Sequence, residues 1–78
     1  MARFHFHLHN QFDVFDDVGL ELPDVAAAIS EALHSARELA SRDVKEGTLN
    51  LLHRIDVDDD QGHHVATMTF ADAIVIQS

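Results

Sequence analysis

Residues 3 to 9, Arg-Phe-His-Phe-His-Leu-His, alternate apolar and polar without a break. Side chains on a strand point to opposite faces in turn, so Phe4, Phe6 and Leu8 share one face and His5, His7 and His9 the other. Asn10-Gln11 has turn chemistry, and Phe12 to Asp16 reads as a short second strand. Asp16-Asp17-Val18-Gly19 then reads as a turn in which Gly19 takes positive φ, and Leu20-Glu21-Leu22 leads into a helix.

Helix entry is marked by Pro23 and by Asp24, whose side chain can cap the next backbone N–H groups. Beyond it the apolar positions are Val25, Ala28, Ile29, Ala32, Leu33, Ala36, Leu39, Ala40 and Val44, a three-to-four spacing over five turns. Glu31, His34, Arg37, Glu38, Ser41, Arg42 and Lys45 fall mostly on the other side, and Gly47 is the natural stop. The spacing predicts a helix from Asp24 to about Glu46. A hairpin follows: Ile55 and Val57 alternate with Asp56 and Asp58, Asp59-Asp60-Gln61-Gly62 supplies a tight turn, and His64 to Phe70 returns. The apolar tail Ala71 to Ile76 reads as a fifth short strand or as an arm laid on a partner.

These elements predict an α+β fold, β-β-α-β-β, with one long helix packed on one face of a mostly antiparallel sheet in two layers. The expected core is Phe4, Phe6, Leu8, Ile55, Val57, Met68 and Phe70 from the sheet, with Val25, Ile29, Ala32, Ala36 and Leu39 from the helix. Seventy-eight residues are expected to form a single domain. So small a core makes homodimerisation a way of burying more surface.

Several stretches resemble a family of small bacterial proteins classed only as a domain of unknown function. They are Arg3-Phe4-His5-Phe6-His7-Leu8, then Asp17-Val18-Gly19-Leu20-Glu21-Leu22-Pro23-Asp24, then the alanine-rich helix with Glu31-Ala32. Ile55-Asp56-Val57-Asp58-Asp59, Gly62 and Phe70-Ala71-Asp72 complete the pattern. The resemblance spans nearly the whole chain and implies one intact domain, with no activity attached. Of the three histidines, His7 alone sits where that pattern places one, so the row His5, His7, His9 is a departure of this chain.

Charge narrows the partners. Fourteen acidic residues stand against five basic ones, a net charge of −9, so the chain offers no basic patch to a phosphate backbone or an anionic membrane. A basic protein, a basic peptide or a cation is the partner class that the charge favours. With no cysteine there is no disulfide framework and no thiolate site. The first residues lack the apolar core of a signal peptide, which makes the bacterial cytoplasm the expected location.

The histidine row is the main candidate for chemistry. Alternate residues on a strand stand about 7 Å apart, and neighbouring imidazoles at that spacing can converge on a zinc, nickel or copper ion. If the first strand lies beside the hairpin, Asp56 and Asp58 join His5, His7 and His9 on one face and add carboxylates. Asp56 to Asp60 with Gly62 superficially resembles a calcium loop, but the acids lead into a hairpin and the closing bidentate Glu is missing. Seven histidines would move the net charge to −9 + 7 = −2 if all were protonated, so pH sensing is a further possibility. Catalysis is not expected: His53 or His7 can pair with an Asp, yet Ser30, Ser35 and Ser41 sit on an ordinary helix and no phosphate loop is present. The sequence thus favours an interaction domain without a cofactor, with divalent metal binding as the alternative.

Overall fold

A computed structural model describes residues 1–77. Its sheet is antiparallel and built on the alternating segment, strand β1 (Ala2–His9). Strand β2 (Asp13–Val14) and strand β3 (Leu20–Leu22) both pair with one side of β1, and strand β4 (Arg54–Asp59) pairs with the other. Strand β5 (His64–Thr69) completes the order β2-β1-β4-β5. Helix α1 (Val25–Lys45) covers one face, and a single-turn helix α2 (Phe70–Ala73) follows β5. The expected β-β-α-β-β arrangement with a long helix on an antiparallel sheet is the one observed.

Three local readings change. The second strand shrinks from Phe12–Asp16 to two residues, and Leu20–Leu22 is a strand of its own rather than a lead-in. Both lie along the same side of β1, but their registers differ. Leu8 faces Val14, while Phe4 faces Leu20. Residues 15–19 therefore stand opposite only residues 5–7, two residues too many, and bulge outward. The tail does not form a fifth strand, because Thr69 and Asp72 cap each other reciprocally and turn the chain into α2. That turn drives Phe70 fully into the core, worth about 1.5–3 kcal/mol of burial.

α1 begins as the sequence predicts, with the Asp24 side chain accepting from the Ala27 N–H at 2.9 Å and contributing about 1 kcal/mol. Its buried line, however, is Ala28, Ala32, Ala36 and Ala40. Val25 and Ile29, expected in the core, are 45% and 40% exposed. Residues four apart form a ridge inclined to the helix axis, so the line of contact drifts around the helix and leaves Val25 and Ile29 to one side. Alanine along that ridge lets the helix backbone come close to the sheet. Phe4, Ile55 and Val57 of the sheet and Phe70 of α2 are buried as expected, with Phe6, Leu8 and Met68 of the sheet and Leu39 of α1 partly buried against them. No polar side chain is buried among the described residues.

Candidate functional site

The outer face of the sheet, away from α1, carries the chemistry. The β1–β4 register sets His5 opposite Asp58, His7 opposite Asp56 and His9 opposite Arg54. His5, His7, His9, Asp56 and Asp58 therefore share one face. Rings His5 and His7 stand nearly parallel, with centroids 6.4 Å apart and an interplanar angle of 9°. That spacing is what two side chains two residues apart on a pleated strand must adopt.

Each imidazole has its own carboxylate. His5 Nε2 lies 3.1 Å from Asp60, His7 Nε2 3.3 Å from Asp58, and His9 Nε2 3.0 Å from Asp56. His9 Nδ1 also meets Asp13 at 2.9 Å. Asp58 is shared with His64 at 3.5 Å, and Asp56 accepts from the Thr67 hydroxyl at 3.0 Å. The ring nitrogens thus point to separate partners rather than to one centre. Among the described residues, no group of three or more His, Cys, Asp or Glu is arranged to hold a metal ion.

Asp16, read from sequence only as the end of a strand and the start of a turn, organises the whole edge. Its carboxylate accepts from the N–H groups of Phe6 (3.1 Å), Val18 (3.2 Å) and Gly19 (2.9 Å). Phe6 pairs with Val57 of β4, but on the β2/β3 side the bulge leaves it no strand partner, so the Asp16 side chain takes the place of a neighbouring backbone carbonyl. Burial pushes the Asp16 carboxyl up, but its three backbone donors and the nearby His5 outweigh that and hold it below the ordinary value. Two further bonds tie Asp16 to the histidines. Its carbonyl accepts from His5 Nδ1 at 2.9 Å, and its N–H donates to His7 Nδ1 at 3.0 Å.

These contacts separate neighbouring imidazoles. Both partners of His5 are acceptors, so both its nitrogens donate when the pair of bonds is complete. The Asp60 hydrogen bond first, and then the Asp16 carbonyl, hold His5 above its ordinary value against a smaller opposing push from burial. His7 instead accepts at Nδ1, which puts the proton of its neutral ring on Nε2, facing Asp58. Residues 12–18 form an arm along this edge of β1, and Phe15 closes it over the row, its ring 5.6 Å from His7 and 6.0 Å from His9. Gly19 permits the fit: its φ is +76°, and an added Cβ would stand 2.9 Å from Arg3, His5 and the Phe4 carbonyl.

Between the arm and the β4–β5 turn lies a cleft of about 260 Å³, lined by His5, His7, Asp16, Asp58, Asp60 and Gly62. The turn is held by the Asp59 side chain, which accepts from the Gln61 and His63 N–H groups. Asp13, His64 and Phe15 were not singled out as site residues from sequence, Asp60 entered only through the calcium-loop resemblance that was set aside, and Asp16 carried a signal as a turn residue. An Asp two and three residues ahead of Val18 and Gly19 can bond their N–H groups by its own side chain. His53, weighed as a possible acid–base residue, stands 3.9 Å from Asp43, beyond hydrogen-bond distance.

No helix among the described residues is long and apolar enough to cross a membrane. The model of a family described as Domain of unknown function (DUF6894) matches residues 3–71. No curated protein and no solved structure matches the chain.

Proposed function

The chain belongs to the DUF6894 family, a domain of unknown function, and from that premise we propose that it is a small interaction module of the bacterial cytoplasm. It works through protein–protein contact and pairs with a second copy of itself. One observation carries this: a groove of about 610 Å³ between the C-terminal half of α1 and the residues after α2, lined by Arg37, Val44, Lys45, Leu49, Ile74 and Val75. Its lining is mainly apolar, and it lies open along the surface rather than enclosing a space. An exposed apolar surface with a polar rim is what a protein contact buries, whereas a small-molecule site surrounds its ligand. Sedimentation velocity from micromolar to near-millimolar concentration tests it. A concentration-dependent shift from 8.7 kDa to twice that mass is expected, and a monomer throughout would overturn self-pairing.

The second reading is divalent-metal binding by His5, His7, His9, Asp56 and Asp58, supported by the register that collects these five side chains on one face. Zinc or nickel would have to draw the imidazoles away from their carboxylates to gather them. Zinc titration of chelator-stripped protein, followed by imidazole NMR shifts, decides it. Saturable one-to-one changes confined to these residues would support the site, and weak scattered changes would remove it.

A further inference from the structure

We infer that the groove on α1 receives the exposed arm of a second copy, with Phe12 and Val14 entering the apolar floor and the net acidic arm as a whole set against Arg37 and Lys45. This docking mode rests on the domain being a self-pairing module, and it names the two surfaces that meet.

The groove takes up the apolar line of α1 where its buried residues end. Ala28, Ala32, Ala36 and Ala40 form the ridge that packs on the strands, and the next residue on that ridge is Val44. It is apolar like the others, yet it is 57% exposed and lines the groove. A ridge that stays apolar where it is no longer buried lacks only a surface to cover it.

Charge selects the occupant. Only five residues of the chain are cationic, and two of them, Arg37 and Lys45, line this groove, whereas no acidic residue does. The occupant should therefore be apolar and acidic together. The arm has that character: Phe12-Asp13-Val14-Phe15-Asp16-Asp17-Val18 interleaves large apolar residues with aspartates. Phe15 is engaged by His7 and His9, but Phe12 is 74% exposed and Val14 more than half exposed. Such an arm on an acidic protein meets its electrostatic complement in the groove.

Position makes a closed pair possible. Asn10 and Gln11, at the root of the arm, line one cleft with Thr48 and Asn50, which flank the groove residue Leu49 in the chain. Arm root and groove mouth thus lie at the same end of the molecule. Two copies meeting at that end can exchange arms about a two-fold axis, each giving one and receiving one, so that the assembly stops at two.

The test is a mixing experiment with Phe12→Ser and Val44→Ser, both at exposed positions, each checked for native fold by amide NMR. Either substitution alone should weaken self-association about tenfold or more, because both contacts of the homodimer lose a partner. Mixed one to one, the Phe12→Ser chain still has its groove and the Val44→Ser chain still has its arm, so one of the two contacts is whole. Sedimentation should then show a heterodimer tighter than either variant's homodimer, though weaker than the parent. A parent protein that pairs while neither substitution weakens it, or while the mixture associates no more tightly than the single variants, overturns arm-in-groove docking and leaves self-pairing standing. A parent protein that never pairs overturns both.

Discussion

The backbone N–H of Asp16 donates to Nδ1 of His7 at 3.0 Å, and this one bond fixes which ring nitrogen of a neutral His7 carries the proton. Replacing His7 by Phe keeps a ring against Phe15 but removes the acceptor. The expected result is a loss of about 1–2 kcal/mol, the cost of leaving a partly buried donor unpaired, together with faster hydrogen exchange at the Asp16 amide. Unchanged exchange there would mean that the arm is held by its other contacts.

Asp16 should make the arm acid-labile. Its carboxyl titrates below the ordinary 3.8 in the folded protein, so its contribution is present above that value and is lost as pH falls through the lowered folded one. An NMR acid titration should show the amides of Phe6, Val18 and Gly19 shifting together in that window. Asp16→Ala leaves all three without their acceptor and is expected to cost about 2–4 kcal/mol in urea unfolding. A cost near zero would show that water replaces the carboxylate without loss.

His5 carries the opposite sign. Its folded value lies above the ordinary 6.5, so its stabilisation is complete below pH 6.5 and fades as pH rises through the raised value. Asp60→Asn removes the leading cause, and the His5 Cε1–H titration should move down toward the ordinary value. A midpoint that does not move would transfer the effect to the Asp16 carbonyl.

The helix should respond to substitution in inverse order of side-chain size. Ile29→Ser touches a side chain that the diagonal contact line leaves partly in water and should cost under about 1 kcal/mol. Ala36→Leu forces bulk between helix and sheet at a fully buried position and should cost about 1–3 kcal/mol or more. Thermal unfolding of the two variants compares them directly, and an equal loss would contradict the alanine contact line.

The long elements are legible in the sequence because each signal is local and repeated. Asp24, the three-to-four apolar spacing and Gly47 bracket the helix to within a residue of Val25–Lys45, and strict alternation gives β1 both of its faces. Which stripe of the helix lies against the sheet is not local. Val25 and Ile29 are more hydrophobic than alanine, but the separation of the two layers favours the ridge that lets backbones approach. The outer face is legible in part. The faces of His5, His7, His9, Asp56 and Asp58 follow from alternation, and their meeting needed only β1 beside β4. The other partners depend on pairing across distant chain segments: Asp60 reaches His5 from the far end of the hairpin, and Asp16 reaches Phe6 because a bulge opens the edge. The capping box that ends β5 was readable at Thr69 and Asp72, yet the apolar run behind it resembles a strand.

The two-residue offset between β2 and β3 sets a rule for how this edge can change in length. Because the excess is even, Leu20 and Leu22 keep the same side of the sheet as Phe4 and Ala2, while Glu21 stays opposite Arg3 and bonds it. Loss or gain of one residue between 15 and 19 would reverse that parity, turning Glu21 toward the helix and the leucines toward water. Loss of two would restore a plain strand and abolish the bulge that Asp16 fills. The arm can therefore be edited in pairs while the domain still folds, at the expense of the latch over the histidines.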